Sequence, residues 1–467
     1  MTVAGLPLPP VIDQNVNPVP LDSWSALGFA AIVAAAGYLA FRRSPYVLAI
    51  LAFAVPFAGY RDVANTTVTL EKCLVLGTAV GLILSGVPIV PVSRAGRLVL
   101  LAACGLLFSI IVSIAHATYY VPVAREFFKQ AEFLVLFWCA ITLMERSPAS
   151  QRTFPLAVGA SALIVATLAA SQALFGGAPS GIWVNGHPVP RVAGTLEGPN
   201  QLAGYLEAVL PLLWVAPILT AWMKPAWIYT VAACVAALIL TQSRAGVFVT
   251  AVGYLVYRVV DRVRGNATLM PVIVGAVGGF AIVTAWFIFW AHAGWRDVER
   301  LFLFSIPQST GGVGSRAQLW PAAIELFRRH PLTGVGAGNF EFLLRSVGLA
   351  GVQTHAGSLW LQTLAEQGLV GLAGLLVFAI VALRMTWRRR YQSALALPAF
   401  LAVGSLLLHQ VVDDLFFFPK VAALAWLMLG AGTASVQDRT VRLESGVEPR
   451  PDHPQIDIPQ RQALPLP

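Results

Sequence analysis

Charge is scarce in this sequence: Asp, Glu, Lys and Arg together make up 11% of its 467 residues, while 57% are hydrophobic. A soluble chain of this size carries about 25% charged residues, so a soluble globular protein is excluded. Strict apolar–polar alternation is also missing. The long segments are apolar on every side, which excludes a transmembrane β-barrel and leaves a bundle of membrane-crossing helices. Cysteine is sparse, and Cys73, Cys104, Cys139 and Cys234 all lie in or at the edge of apolar segments. None stands in a long polar connection, so neither a structural disulfide nor a zinc site is expected. Residues 1–23 lack a basic n-region, and no small-residue cleavage site follows the first apolar run, so no cleavable signal peptide is expected.

What is present is a succession of runs long enough for a hydrocarbon core of ~30 Å. They fall near 24–41, 45–60, 72–90, 97–117, 131–145, 155–174, 201–221, 226–241, 245–260, 270–292, 358–386, 394–412 and 417–435. The expectation is an all-α polytopic membrane protein of 12 or 13 transmembrane helices, forming one domain over 1–435. The tail 436–467, rich in Pro, Gln and charge, is expected to be disordered. Net charge is +9, and the basic residues concentrate in short connections: Arg42-Arg43, Arg94 with Arg97, Arg146 with Arg152, Lys224, Arg258 with Arg262 and Arg264, and Arg384 with Arg388–Arg390. By the positive-inside rule these connections and the tail face the cytoplasm. The two long connections, 175–200 and 293–357, then face the periplasm. Most of the positive charge is accounted for by topology, and no nucleic-acid partner is expected.

Three places on the outer side are unusually polar. In "GHPVPRVAGTLEGPNQLAGYL", Arg191 precedes a Gly–Pro turn that enforces non-helical backbone at membrane depth, where such backbone must line a cavity or pack on protein. In "TQSRAG", Gln242, Ser243 and Arg244 sit between two spans with almost no loop; Ser243 and Gly246 are small enough for close helix approach, which would aim Arg244 into the bundle. Within 293–357, "SRAQLWPAAIELFRRHP" reads as a helix with Ser315 as its cap and Pro331 as its stop. Its stripe of Leu319, Ala323, Leu326 and Phe327 should lie on the bundle or the membrane surface. "TGVGAGNF" follows as a tight turn; it lacks the lysine of a Walker loop. Thr354 and His355 then open the longest span, with Gln362 and Glu366 on its inner face as interhelical hydrogen-bond partners.

Arginine is suited to planar, bidentate contact with phosphate and stays charged when partly desolvated. Arg191, Arg244 and Arg316 are three such groups on one side of the membrane. Imidazole titrates near neutral pH and can take a proton from a hydroxyl, so His355 is a candidate catalytic group, acting as a base or as an orienting group. Such a set suits an anionic lipid headgroup attacked by an alcohol. Acidic side chains outside the spans, including Glu197, Glu325, Glu341 and Asp413-Asp414, are too scattered in sequence to nominate a metal site, so a metal-free, cofactor-free mechanism is expected.

"RVAGTLEGPNQLAGYL", "TQSRAG", "SRAQLWPAAIELFRRHPLTGVGAGNF" and "THAGSLWLQTLAEQGLVGL", in this order around a large outer loop, resemble the core of a superfamily. Its members are O-antigen ligases, O-antigen polymerases and bacterial protein O-oligosaccharyltransferases. The resemblance covers roughly 190–375 and is strongest to the ligases. It implies a C-type glycosyltransferase of the bacterial inner membrane whose donor is an undecaprenyl-diphosphate-linked glycan. It also implies that Arg191, Arg244 and Arg316 hold the donor diphosphate and that His355 activates or orients the acceptor. Ala356 and Gly357 follow the histidine where many members carry a polar residue. For a ligase the acceptor is a sugar of lipid A–core; a polymerase would use another repeat unit, and a protein glycosyltransferase Ser or Thr. A transporter of lipid-linked substrate fits less well, since the chain has neither internal repeats nor a series of mid-span charges.

Overall fold

The computed structural model describes residues 22–57, 60–63, 66–178, 180–184, 187–215, 224–263, 313–349, 352 and 354–435. The expected span 270–292, the outer segment before 313 and the tail 436–467 lie outside the described residues. Fourteen α-helices are described: α1 (Ser23–Phe41), α2 (Tyr46–Ala54), α3 (Leu70–Leu84), α4 (Arg94–Ser113), α5 (Tyr120–Arg146), α6 (Ser150–Phe175), α7 (Pro199–Val215), α8 (Lys224–Leu240), α9 (Arg244–Val263), α10 (Val313–Arg329), α11 (Phe340–Leu343), α12 (Leu359–Arg388), α13 (Ala396–His409) and α14 (Pro419–Thr433). Five of them, α1, α4, α5, α6 and α12, are long and apolar enough to cross a membrane, α4 together with the 3₁₀ turn that follows it. The protein is an all-α polytopic membrane protein. Two short antiparallel hairpins interrupt the helices, β1 (Tyr60–Val63) with β2 (Thr66–Thr69) and β3 (Ser180–Val184) with β4 (His187–Arg191).

Burial divides the helices by solvent. On α14 every residue from Lys420 to Thr433 is buried, as expected for a helix apolar all round at the centre of a bundle. It packs against α5, α13 and α7. On α1 only Ala36 and Ala40 are buried, and Trp24, Leu27, Tyr38 and Phe41 are exposed, as suits a helix that rests on α3 and otherwise faces lipid. Close approach is bought with small residues at α7–α9, where a Cβ on Gly246 would stand 2.7 Å from that of Ala203.

Three boundaries differ from the sequence reading. First, α5 begins at Tyr120, well before 131, because Arg125, Glu126, Lys129 and Glu132 dilute hydropathy without interrupting the helix. Second, α10 runs from Val313, so Ser315 lies inside it; it ends at Arg329, before His330, whose following proline disfavours helical backbone. It packs on α12 and buries Leu319, Ala323 and Leu326. Third, α12 is not one continuous span. Gly368 (φ 63°, ψ −158°) breaks it, and the outer segment docks into the break. Leu369 N–H donates to Pro331 O (2.8 Å) and Val370 N–H to Leu332 O (3.2 Å), while Val335 N–H and Gly336 N–H donate to Ala365 O (3.1 Å) and Glu366 O (2.9 Å). The backbone groups freed by the break thus find protein partners, the condition for irregular backbone at membrane depth. The part beyond the break, to Arg388, is ~30 Å long, enough for the hydrocarbon core.

The two ends of the bundle differ in character. At one, Glu145 accepts from the N–H groups of Val92, Ser93 and Ser435, Arg389 donates to Ala434 O, and Arg43 lies near Arg146. This end gathers basic connections. The opposite end gathers 191–200, 241–244, Arg316, 355–358 and 409–420.

Candidate active site at the arginine end of the bundle

Arg191, at the end of β4, is held in a fixed orientation. Its Nε donates to Thr241 O (2.9 Å) and its Nη2 to Asn200 Oδ1 (2.9 Å). Asn200, in the first turn of α7, passes its amide N–H to Asp413 Oδ2 (2.6 Å). The same carboxylate oxygen lies 3.6 Å from Arg316 Nη2. Asp413 is thus shared by two arginines from segments more than one hundred residues apart in sequence. Burial pulls the Arg191 guanidinium down to about 10, Arg244 and Arg316 push the same way, and Asp413 opposes them. The side chain stays cationic at neutral pH.

Arg244 reaches this cluster through the turn that joins α8 to α9. Gln242 adopts a left-handed conformation (φ 55°), and its amide is tied to Pro190 O (3.1 Å). Ser243 caps α9 by accepting from Gly246 N–H (3.4 Å). Arg244 is therefore the first residue of a 20-residue helix, at the end where the helix dipole is positive and cations are disfavoured. Arg316 lies near enough to disfavour its charge further. Three cations at a helix N-terminus with one buried carboxylate among them are an arrangement that an anion stabilises. Behind it, Glu207 Oε2 and His409 Nδ1 form a buried pair at 2.9 Å that ties α7 to α13.

His355 stands beside the cluster. The stem of Arg316 lies against Gly357, where a Cβ would come 3.3 Å from its Cγ. The imidazole is 5.3 Å from the Phe417 ring and 6.5 Å from that of Phe418, centroid to centroid. Its Nδ1 accepts from Gly357 N–H (3.1 Å), so in the neutral ring the proton belongs on Nε2. Asp414, next to Asp413, takes the backbone N–H of Phe417 on its Oδ1 (3.1 Å). Burial raises its carboxyl, and His355 and Lys129 draw it partly back.

Gln362 and Glu366 set the position of this segment. Glu366 Oε1 accepts from Phe340 N–H (3.0 Å) and from Gln362 Nε2 (2.7 Å), and Gln362 Oε1 accepts from Ala356 N–H (2.7 Å). The expected interhelical role holds for Glu366, which meets the first residue of α11, whereas Gln362 bonds Glu366 and the backbone that precedes α12. The chain of bonds links the glycine turn at 334–338 to the residue after His355. That turn is tight, with φ 70°, 101° and 71° at Gly334, Gly336 and Gly338. A Cβ on Gly334 would collide with the backbone of Glu366 and Gln367.

The structure brings Arg191, Arg244, Arg316 and His355 to one end of the bundle. It adds residues the sequence reading did not place in the site: Asn200, Asp413, Asp414, and Lys420, which donates to Thr195 O (2.8 Å) and pairs with Glu197 (3.1 Å). Asp413, Asp414 and Glu197 each meet a partner at this end. The available signal was the rarity of acids near membrane depth, since a carboxylate there needs a partner.

A comparison with family models matches residues 229–376 to the family described as O-antigen ligase. Residues 229–376 are similar to a domain of this family, and the match supports the O-antigen ligase superfamily, whose members are glycosyltransferase-like enzymes of O-antigen processing. The matched residues include Arg244, Arg316, His355, the glycine turn, Gln362 and Glu366. No curated protein matches the chain.

Proposed function

We propose that this protein is an O-antigen ligase, transferring a preassembled glycan from undecaprenyl diphosphate to a sugar hydroxyl of lipid A–core at the periplasmic face of the bacterial inner membrane. The observation that carries the reading is the convergence of Arg191, Arg244 and Arg316, with Asp413 between the first and the last and His355 beside them. The arginines hold the donor diphosphate. Two of them are pre-oriented by hydrogen bonds or a shared counter-charge, so little side-chain ordering remains to oppose binding. Asn200 and Asp413 keep the guanidinium groups apart and aimed. The positive-inside rule supports a periplasmic arginine end, since the basic connections gather at the other end.

The acceptor oxygen attacks the anomeric carbon, the new C–O bond forms, and the bond from that carbon to the phosphate oxygen breaks. The departing diphosphate keeps the electron pair, and its charge is met by the arginines, so the cluster itself supplies the electrostatic stabilisation. His355 acts on the acceptor. With Nδ1 engaged by Gly357 N–H, the neutral ring presents Nε2–H, which donates to the acceptor oxygen and orients it. The acceptor proton then passes to the departing diphosphate. The polar groups cluster at one end of the bundle, which favours transfer over transport.

The test is the lipopolysaccharide of a deletion strain, profiled by intact mass. A complete core lacking all polymer, restored by the wild-type gene, is the expected result. A core that still carries a single repeat would assign the protein as a polymerase instead. Full-length polymer on the core would overturn the reading, and loss of glycan from proteins alone would point to a protein O-oligosaccharyltransferase.

A further inference from the structure

Two sets of charged groups meet at His355, divided by the Asp413–Asp414 dipeptide. Asp413 faces Asn200 and Arg316. Asp414 is electrostatically coupled to His355, Lys129 and Glu126. On that second side, α5 presents an ion pair, Lys129 Nζ to Glu126 Oε2 at 2.7 Å, with the two side chains 25% and 32% exposed. Lys129 Nζ stands 5.8 Å from the centroid of the Phe417 ring, which also neighbours His355 and Phe418, each at 5.3 Å. The diphosphate mechanism above uses none of Glu126, Lys129 or Phe417.

The chemistry of this patch differs from that of the arginine cluster. The Lys129 charge is already matched by Glu126. Nearby Glu341 is half-buried and electrostatically coupled to both; burial and Glu126 push its carboxyl up to about 7. Among the described residues the patch sets Lys129 and Arg125 against Glu126, Glu341 and Asp414, so it offers an incoming phosphate no surplus of positive charge. A paired ammonium and carboxylate do offer a donor and an acceptor side by side, which matches neighbouring sugar hydroxyls. A partly exposed aromatic ring beside them offers an apolar face for the C–H surface of a pyranose. Few, convergent polar groups beside an aromatic surface are the usual form of a small-molecule subsite.

We infer that Phe417, Lys129 and Glu126 form the acceptor-saccharide subsite, seating an uncharged sugar ring on Phe417 so that one of its hydroxyls reaches His355. The inference rests on the glycosyl-transfer reading and deepens it: the acceptor is recognised through sugar hydroxyls, not through phosphate.

The test uses the purified full-length protein in detergent, a polyprenyl-diphosphate glycan as donor, and core oligosaccharide as acceptor, intact and enzymatically dephosphorylated. In Glu126→Gln, Lys129→Met and Phe417→Leu, the apparent KM for the acceptor should rise at least tenfold while that for the donor stays within twofold. Dephosphorylation should change the wild-type acceptor KM less than threefold. An unchanged acceptor KM in all three variants overturns the inference. So does a parallel rise in donor KM, or a tenfold penalty for removing the acceptor's phosphates. If the wild type transfers to no saccharide at all, it is the ligase reading that has failed. Calorimetric binding of the core oligosaccharide without donor then decides the subsite separately: weaker binding by Phe417→Leu than by wild type upholds it, and equal binding overturns it.

Discussion

Replacing Glu366 tests whether the outer loops are held in place from within the bundle. The carboxylate is 5% exposed and accepts two hydrogen bonds, from Phe340 N–H at 3.0 Å and from Gln362 Nε2 at 2.7 Å. Glu366→Leu fills the space but leaves both donors unpaired in a dry site, at a cost of ~1–3 kcal/mol each. The total, roughly 2–6 kcal/mol, is a large share of the 5–15 kcal/mol by which a folded domain is typically stable. Glu366→Gln can keep Oε1, the oxygen that both donors share, and loses the second acceptor oxygen and the charge, which the backbone of Gly338 also engages, so it should lose about one bond's worth. The damage falls on the glycine turn and, through Gln362, on Ala356 and its neighbour His355. Thermal unfolding in detergent should therefore rank wild type above Glu366→Gln above Glu366→Leu. Glycan transfer by Glu366→Leu should fall at least tenfold, since ~1.4 kcal/mol of misplacement in the transition state suffices for that. A Glu366→Leu protein that melts with wild type and transfers at its rate would refute the argument.

Other outcomes follow from the same geometry. Gly368→Ala adds a Cβ that collides with the backbone of Leu332 and Thr333 in a left-handed conformation, so it should lower both the melting temperature and transfer; unchanged values would mean that the docking is dispensable. Glu341→Gln should stabilise the protein increasingly as pH rises. The folded carboxyl, moved from 4.5 to about 7, holds a proton that the unfolded chain releases, so stability falls between those two values and the loss is complete above 7. Melting curves at pH 5 and pH 8 check this, and an equal effect at both pH values would contradict it. His355→Gln, which keeps a side-chain N–H donor but no basic nitrogen, should retain more transfer than His355→Ala; equal loss would make the imidazole a base.

Much of the architecture was legible because hydropathy and length are strong signals for spans. All but one of the expected segments coincide with described helices, and 270–292 lies outside the described residues. What escaped was set by tertiary contact. Arg125, Glu126, Lys129 and Glu132 lowered the hydropathy of α5, although the helix continues through them as a polar face at the site. Gly368 looked like one small residue in an apolar helix, and only the docking of 331–336 explains why the chain breaks there. Arg191, Arg244, Arg316 and His355 could be proposed together because topology put them on one side. Asn200 and Asp413 could not, since their pairing spans 213 positions and no local pattern marks it. Gln362 and Glu366 were visible as misplaced polar groups, but helical spacing could not show that Gln362 reaches the backbone beside His355 or that Glu366 reaches the first residue of α11.

The central claim is a division of labour: arginines bind the donor and His355 acts on the acceptor. Donor binding and glycan transfer, measured side by side on purified Arg316→Ala and His355→Ala, test it most directly. The account predicts that Arg316→Ala loses both binding of the polyprenyl diphosphate and transfer, while His355→Ala binds the donor within about twofold of wild type and loses transfer about a hundredfold, the loss that a reactant misplaced by ~1 Å brings. Normal donor binding by Arg316→Ala, or donor binding lost in His355→Ala, would contradict it.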